Sequence, residues 1–155
     1  MNIKKGFYFS ALIFSNLFYG QIVAKVIGIK DGDTVVVLAD NNIQNTLRLA
    51  EVDCPESGQP FGKNAKQFTS SQVFGKSIKY YPINLDRYGR TVAKVYYEGK
   101  YLSEELIKAG LGWWYYRYSD DMNLGKLQDI AKNKKIGLWS DTKIVPPWEF
   151  RKSTK

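Results

Sequence analysis

A series of short strand patterns, each ended by a turn signal, constrains the fold of this chain more than any other feature. Valine, isoleucine and threonine are concentrated in these runs, which are separated by Gly, Asp, Asn and Pro, the residues that favour turns. The five strands that we predict cover residues 22–29, 34–38, 46–49, 77–81 and 91–97. Pro82 is expected to end the fourth strand, because proline cannot donate a backbone hydrogen bond to a sheet.

Three further segments have the spacing of apolar residues that is typical of helices. They cover residues 61–74, 103–109 and 121–135. Ser103 is the expected N-cap of the second helix, and Ile130 is expected on the buried face of the third. Residues 141–155 contain Pro146 and Pro147 and are predicted to form an extended basic tail.

Five strands with one helix after the third and two helices after the fifth indicate an α+β fold. A small β-barrel of the OB type accommodates this number of short strands. With 155 residues, the chain is long enough for one domain with a hydrophobic core. We therefore expect a five-stranded OB-fold β-barrel with three α-helices, in one domain over residues 21–140.

The composition favours a polyanionic partner. The chain carries a formal charge of +8, eleven tyrosines and four tryptophans. Basic side chains contact phosphates and aromatic rings stack on bases, so a nucleic acid fits this composition. The alternative is that the excess lysines only keep the protein soluble.

The absence of histidine excludes several kinds of chemistry. Histidine general bases, histidine nucleophiles and histidine-ligated zinc are all removed, so hydrolysis must depend on carboxylates, arginines, tyrosines or a metal ion. Cys54 is the single cysteine, so no intramolecular disulfide forms and a thiol protease would lack its histidine. A small residue in a turn is the expected role of Cys54.

The first 20 residues resemble a secretory signal peptide. Lys4 and Lys5 precede an apolar segment over residues 7–19, and Gly20 follows it. The segment is shorter than the roughly 20 residues that a membrane-spanning helix needs. We expect residues 1–20 to be removed and the protein to be secreted; the alternative is retention at the envelope by an uncleaved N-terminal segment.

The segment from Leu47 to Glu56 is the centre of the predicted site. Leucines alternate with polar residues and the run ends in the turn Asp53-Cys-Pro-Glu56. Because successive strand residues point to opposite faces, we expect Arg48 to leave the leucine layer and point toward the site.

Two carboxylates follow or end predicted strands. Asp33 lies in the turn Asp31-Gly-Asp33, and Asp53 ends the third strand region. Two carboxylates from separate turns, with a backbone carbonyl and water, make a site for calcium, which takes six to eight oxygen ligands. Alternatively, Asp-Gly-Asp is only a hairpin turn.

Glu56, Arg48 and Arg90 have the side chains that phosphodiester hydrolysis requires. A carboxylate is the available base for an attacking water when histidine is absent, and guanidinium groups stabilise the charge that grows on phosphate oxygens. Glu56 is alternatively a surface acid or a helix-start residue. Each arginine is alternatively an ordinary ion-pair partner of Asp33 or Asp53.

An aromatic run over residues 113–118 has two interpretations. Its alternate members are able to stack on a base or to donate hydroxyl hydrogen bonds to a phosphate. The run also suits a core-closing segment between two helices, and both roles are compatible.

Several motifs, taken jointly and in order, resemble the staphylococcal nuclease (thermonuclease) family. They lie between residues 22 and 140 and comprise Asp31-Gly-Asp-Thr-Val35, Leu47-Arg-Leu-Ala-Glu-Val-Asp-Cys-Pro-Glu56, Asp86-Arg-Tyr-Gly-Arg90, Gly110-Leu-Gly112, Tyr116-Arg-Tyr118 and Gly137-Leu-Trp139. The resemblance implies an OB-fold barrel with three helices. It also implies a calcium-dependent phosphodiesterase that acts on DNA and RNA, cleaves the bond to the 5' oxygen and leaves 3'-phosphate ends.

The resemblance also implies a role for each matching position. Asp33, Asp53 and the carbonyl group of Cys54 correspond to calcium ligands. Glu56 corresponds to the base that activates water, and Arg48 and Arg90 correspond to the phosphate clamps. The remaining assignments are substrate contacts, namely Arg87, Tyr88, Tyr116 and Tyr118.

Three departures from the family pattern affect these assignments. The loop over residues 57–63 is shorter than in the best-known member of the family, which affects how Glu56 is held and how wide the substrate groove is. Cys54 stands where the family often has threonine, which keeps a backbone ligand but loses a hydroxyl. Arg87 stands where lysine is frequent, which keeps the charge but changes its geometry. Two function classes remain, a secreted nuclease and a related domain that binds nucleic acid without cleaving it. We expect the protein to be a monomer.

Overall fold

The computed structural model of the protein describes residues 20–154. The predicted signal peptide lies outside these residues except for Gly20, and it stays a prediction. Within residues 20–154, no helix has both the length and the apolar character needed to cross a bilayer.

The predicted α+β fold with a five-stranded OB-type barrel is confirmed. The barrel strands are β1 (Ile22–Asp31), β2 (Thr34–Ala39), β3 (Gln44–Leu49), β5 (Ser77–Leu85) and β6 (Thr91–Tyr97). They pair in the order β3-β2-β1-β5-β6, and each of these pairs is antiparallel. A parallel pairing of β3 with β6, from Leu47 opposite Thr91 to Leu49 opposite Ala93, closes the barrel.

Three two-residue strands complete the sheets in the described part of the chain. They are β4 (Val52–Asp53), β7 (Lys100–Tyr101) and β8 (Trp113–Trp114). β4 pairs with β8, which attaches the aromatic run to the turn that follows β3.

Residues 20–154 contain four α-helices, so the predicted count of three is corrected. They are α1 (Gly62–Val73), α2 (Leu102–Lys108), α3 (Met122–Asn133) and α4 (Pro147–Ser153). The additional helix, α4, forms where the sequence predicted an extended tail. Pro147 occupies its first turn, where the missing N–H costs nothing, and Arg151 and Lys152 lie in its last turn, where positive charge favours the helix dipole.

Three local expectations are wrong. β5 continues through Pro82 to Leu85, because β1 pairs with β5 only as far as Tyr80 and the edge beside Pro82 needs no donor. Ser103 lies inside α2 rather than at its N-cap, and its hydroxyl donates to the carbonyl oxygen of Ala50 at 2.7 Å. Ile130 is exposed on α3, where Leu124 and Ala131 are buried.

The core fills the barrel interior and continues under α1 and α2. Its residues are close to fully buried and are mainly valine and leucine, including Val26, Val35, Leu47, Leu49, Val95, Leu102 and Leu106. A second cluster of Ala131, Leu138 and Trp139 packs below α3. Burial of this apolar surface supplies the main driving force that fixes the strand ends relative to one another.

Candidate active site

Strand register brings three turns to one rim of the barrel. Thr34 at the start of β2 lies opposite Arg48 near the end of β3, and Arg48 lies opposite Val92 in β6. The β5–β6 turn, Leu85 to Thr91, is therefore at the same rim. Residues that are far apart in sequence meet there.

Arg48 holds the two predicted metal ligands together. Its Nη2 atom lies 2.9 Å from Oδ1 of Asp53 and 3.2 Å from Oδ2 of Asp33. Its Nη1 atom donates to the carbonyl oxygens of Leu49 and Val52 at 2.6 and 2.8 Å. The expectation that Arg48 points away from the leucine layer and toward the site agrees with this geometry.

Burial and charge shift the pKa values of the acids. Burial raises the pKa of Asp53, although Arg151 and Arg48 oppose the shift. Burial, with the neighbouring charge of Asp33, raises the pKa of Asp31 to about 6. Oδ1 of Asp31 is buried and has no hydrogen-bond partner among residues 20–154. Burial at the rim therefore makes ionisation of Asp31 and Asp53 less favourable than in water.

Packing, as well as turn chemistry, requires Gly32 between the two acids. A Cβ atom at Gly32 would lie 2.6 Å from Cβ of Ala65 and 2.9 Å from Cβ of Cys54. The backbone N–H of Cys54 donates to Oδ2 of Asp33 at 2.7 Å. The Asp-Gly-Asp turn thus packs closely against the turn at Cys54 and is hydrogen-bonded to it. A simple hairpin turn would require neither contact. Burial raises the pKa of the Cys54 thiol well above its ordinary value, so the thiol stays neutral.

Glu56 lies in a tight loop between β4 and α1. Its N–H donates to Oε1 of Gln59 at 3.1 Å, and its carbonyl oxygen accepts from the N–H of Gln59 at 2.9 Å. A Cβ atom at Gly62 would lie 1.9 Å from the Glu56 carbonyl oxygen. The loop therefore places Glu56 through close backbone contacts rather than leaving it as a free surface acid.

Arg90 is oriented by Asp86, not by Asp33 or Asp53. Its Nε atom lies 2.7 Å from Oδ2 of Asp86, and Nη1 lies 3.3 Å from Oγ1 of Thr34. Oδ1 of Asp86 accepts from the N–H groups of Tyr88 and Arg90 at 2.9 Å each. Burial is the largest single effect on the pKa of Asp86 and would raise it, but the hydrogen bonds from Arg90 and Tyr88 and the charge of Arg90 together lower it. The Arg90 guanidinium is consequently fixed at the rim by a local acid.

The exposed end of the β5–β6 turn carries Arg87 and Tyr88. The guanidinium of Arg87 lies 4.8 Å from the centre of the Tyr88 ring, and that of Arg90 lies 5.5 Å from it. Nη2 of Arg87 donates to the Tyr88 hydroxyl at 2.7 Å. Two positive charges and one ring are therefore available to a polyanion.

A groove of about 790 Å³ connects these residues. Of the ten residues assigned from the sequence, all except Tyr116 line it, namely Asp33, Arg48, Asp53, Cys54, Glu56, Arg87, Tyr88, Arg90 and Tyr118. Tyr115 lines it in place of Tyr116. Residues 116–118 form a 3₁₀ turn in which the N–H of Tyr118 donates to the carbonyl oxygen of Tyr115. Residues three apart share a face of such a turn, so Tyr115 and Tyr118 face the groove together.

Arg151 of α4 is a groove residue that the sequence reasoning missed. Its Nη2 atom lies 2.8 Å from Oδ2 of Asp53, and its Nη1 atom lies 2.7 Å from Oε1 of Glu56. The carboxylates raise the pKa of Arg151 against the effect of burial. The only available signal was its place in the basic C-terminal segment.

The donor set of this rim fits a hard divalent cation. Asp33 and Asp53 converge on one nitrogen of Arg48, and Asp31 has a buried oxygen without a partner among residues 20–154. Carboxylate oxygens of this kind suit Ca²⁺ or Mg²⁺. Within residues 20–154 no group of three or more His, Cys, Asp or Glu side chains is arranged to hold a metal. Carbonyl oxygens and water would therefore complete such a site, and the carbonyl of Cys54 belongs to a main chain already bonded to Asp33.

A closed barrel with acids and arginines gathered in a tyrosine-lined groove suits a hydrolase that acts on nucleic acids. The model of the family described as Staphylococcal nuclease homologue matches residues 46–141. The chain belongs to the staphylococcal nuclease family, and the resemblance drawn from its motifs is confirmed.

Three relatives illustrate the similarity. A Haemophilus influenzae protein named Uncharacterized endonuclease is 38% identical over 131 residues, which are 84% of this chain and 74% of that protein. The Micrococcal nuclease of Shigella flexneri is 32% identical over 155 residues, which are 93% of this chain and 88% of that protein. Staphylococcal-like nuclease CAN1 of Arabidopsis thaliana is 38% identical over 109 residues, 70% of this chain and 34% of that protein. The chain thus spans most of its bacterial relatives and about a third of the plant protein.

Proposed function

We propose that this protein is a secreted, calcium-dependent endonuclease that hydrolyses phosphodiester bonds of DNA and RNA at the 5' oxygen and leaves 3'-phosphate ends. The observation that carries the proposal is the Arg48 guanidinium, which is hydrogen-bonded to Asp53 and ion-paired with Asp33 in the groove that Glu56 and Arg90 also line. Membership of a nuclease family supports the reaction class. The metal and the product ends rest on the family resemblance.

Glu56 is assigned as the base that accepts a proton from the attacking water. Its backbone is fixed by Gln59, and its carboxylate lies in the groove within reach of a substrate. Without histidine, a carboxylate is the available acceptor near neutral pH. A role restricted to orienting the water is also compatible with this position.

Arg48 and Arg90 are assigned as the phosphate clamps. They approach the groove from β3 and from the β5–β6 turn, and each is oriented by a carboxylate, Asp53 or Asp86. Donors that are fixed before the reaction stabilise developing charge without reorganising. Calcium, held by Asp33, Asp53 and the Cys54 carbonyl, would supply positive charge that polarises the phosphate.

The outer groove suits the remainder of the nucleic acid. Arg87 contacts backbone phosphates in this proposal, and Tyr88 and Tyr118 contact the sugar or base. Tyr116 is exposed beside the groove and is retained as a contact with the flanking nucleotide. Contacts to phosphates and stacking on rings do not by themselves require a particular base.

Secretion and a monomeric state are part of the proposal. The N-terminal pattern of two lysines, an apolar run and Gly20 supports removal of residues 1–20. N-terminal sequencing of the protein recovered from the culture medium of an expressing host tests the cleavage. Recovery only with the envelope, with Met1 retained, contradicts it. Light scattering of the purified protein tests the monomer.

A second candidate is a domain that binds nucleic acid without cleaving it. The observation in its favour is that Arg151 donates hydrogen bonds to the carboxylates of Glu56, the proposed base, and Asp53, a proposed metal ligand. A digestion experiment separates the two candidates. The catalytic proposal requires that purified protein lacking residues 1–20 degrades plasmid DNA and RNA with added calcium and stops in excess chelator.

Product ends provide the second part of this experiment. A short labelled DNA cut by the protein should resist extension by a polymerase until a phosphatase removes the 3'-phosphate. Immediate extension contradicts the proposed bond cleavage. Binding of the labelled DNA without any cleavage in calcium supports the second candidate.

A further inference from the structure

The C-terminal helix places a built-in cation on the carboxylates of the proposed site. Nη1 of Arg151 lies 2.7 Å from Oε1 of Glu56 and 3.2 Å from Oδ1 of Asp53, and Nη2 lies 2.8 Å from Oδ2 of Asp53. Asp53 is 1% exposed at its side chain, whereas Arg151 is 38% exposed. One guanidinium fork therefore bridges a proposed metal ligand and the proposed base from the solvent side.

Aromatic packing holds α4 in this position. The Trp148 ring stacks on Tyr115, with ring centres 5.8 Å apart and planes 3° apart, and its edge contacts Trp113 at 5.6 Å. Upstream of α4, Nε2 of Gln59 donates to the carbonyl oxygen of Val145 at 2.5 Å. The segment from Val145 to Arg151, which we call the strap, thus contacts the groove wall, the Glu56 loop and the acids.

The hydrogen bonds of Asp53 show why this contact matters. Its Oδ1 atom accepts from Arg48 and Arg151, and its Oδ2 atom accepts from Arg151. A divalent cation needs lone pairs on the same carboxylate and repels a guanidinium at contact distance. Arg48 is only 12% exposed at its side chain and is also bonded to two carbonyl groups, so it is not free to leave. Arg151 is the half-exposed partner that is able to withdraw.

We propose that Arg151 is an intramolecular counter-ion that is exchanged for the divalent cation, so that metal binding and closure of the strap exclude each other. In the closed state the Glu56 carboxylate is paired with Arg151, which competes with its role as the base. Release of Arg151 frees both Asp53 and Glu56. The inference rests on the proposed function and adds that metal affinity is set by a residue outside the ligand set.

Competition of this kind lowers the apparent metal affinity by the fraction of molecules in the open state. Arg151→Gln removes the counter-ion, and we expect calcium to bind it about tenfold or more tightly than the unaltered protein. Trp148→Phe keeps Arg151 but weakens the stacking on Tyr115, so it should tighten binding in the same direction by a smaller factor. Lys152→Gln is the matched control, because it removes one exposed positive charge from the same helix.

Isothermal titration calorimetry with calcium chloride, without nucleic acid, measures these affinities. Tryptophan emission of the unaltered protein should change on calcium addition as Trp148 leaves Tyr115, and most of that change should be lost in Trp148→Phe. Near-UV circular dichroism verifies that each variant is folded.

Three outcomes would overturn the inference. Equal calcium affinity of Arg151→Gln and the unaltered protein shows that the guanidinium does not compete, while leaving the proposed function intact. A gain in Lys152→Gln equal to that in Arg151→Gln shows that only general charge matters. Absence of calcium binding in every variant removes the metal assignment of the proposed function and this inference with it.

Discussion

Arg48 donates a 2.9 Å hydrogen bond from Nη2 to Oδ1 of Asp53, and both side chains are almost excluded from solvent. This geometry is that of an ion pair, and the phosphate-clamp interpretation of Arg48 leaves its Nε–H for a phosphate, because Nη1 and Nη2 already contact two carbonyl groups and two carboxylates. Burial alone would lower the pKa of Arg48, but the carboxylates of Asp33 and Asp53 raise it, so the charge persists inside the rim. The acids that suit a metal ion also orient the group that suits the phosphate.

Glu56→Gln tests the proposed base. The amide keeps the size of the side chain but accepts no proton, so we expect turnover to fall about 100-fold or more while the fold is kept. Binding of a labelled oligonucleotide, followed by fluorescence anisotropy in calcium, should be nearly unchanged. Glu98→Gln, the same change on an exposed turn outside the groove lining, is the control and should retain full turnover. Near-normal rates in folded Glu56→Gln protein would assign the base elsewhere.

Asp86 and Arg90 should act as one unit in catalysis. Arg90→Ala should lower turnover about 100-fold, and Asp86→Asn about tenfold, because the second change loosens the guanidinium without removing it. Since Asp86 acts through Arg90, the double variant should be no slower than Arg90→Ala. The measurement is a double-mutant cycle on kcat/KM, with circular dichroism as the folding check. If the two losses in kcat/KM multiply, to about 1,000-fold in the double variant, Asp86 and Arg90 have independent roles.

Gly62→Ala tests whether close packing of the loop positions Glu56. The new Cβ atom would lie 1.9 Å from the Glu56 carbonyl oxygen, so either the loop or α1 must move. We expect a loss of about 2 kcal/mol or more in the free energy of unfolding, together with lower turnover. Gly58→Ala is the control in the same loop, because its Cβ meets nothing within 4 Å. Urea denaturation of both variants makes the comparison, and equal stabilities would contradict the assigned contact.

The sequence predicted the parts of the site that are local in the chain. Asp33 and Asp53 belong to turns at strand ends, and Arg48 has the strand parity that opposes the leucines. Such features follow from residue type and from the two-residue period of a strand. Closure of the barrel then brings these residues together at one rim. Because β3 and β6 pair in parallel, the end of β3 and the β5–β6 turn lie next to each other.

The sequence did not predict features that depend on distant packing or on an irregular turn. Arg151 meets Asp53 across 98 positions, and no local pattern records that contact. Two prolines in succession favoured an extended tail, although Pro147 also suits a first helical turn. Tyr115 was missed because the resemblance assigned Tyr116 and Tyr118, whereas the 3₁₀ turn places residues three apart, such as Tyr115 and Tyr118, on one face.

Asp31 gives the metal-free protein a pH-dependent stability with a definite sign. Burial and the charge of Asp33 raise its pKa from the ordinary value of 3.8 to about 6 in the folded state. Between these pH values the folded state binds more protons than the unfolded state, so stability falls as pH rises from about 4 to about 6. Asp53, whose pKa is also raised, changes stability in the same direction, whereas Asp86 acts in the opposite one. The contribution of Asp31 must therefore be isolated by difference.

Asp31→Asn provides that difference. The amide does not ionise, so the variant should gain stability over the unaltered protein as pH rises from 4 to 7, by at most about 3 kcal/mol for a shift of two pKa units. Urea unfolding at several pH values measures the difference in free energy of unfolding between Asp31→Asn and the unaltered protein. Excess chelator is needed because a bound cation would itself stabilise the ionised acids. Thr46→Val, outside the groove lining, is the control because it changes no ionisable group. The difference in free energy of unfolding between Thr46→Val and the unaltered protein should stay constant with pH. If the stability difference between Asp31→Asn and the unaltered protein does not increase with pH, Asp31 ionises at its ordinary pKa. The buried oxygen of Asp31 is then solvated in the folded protein.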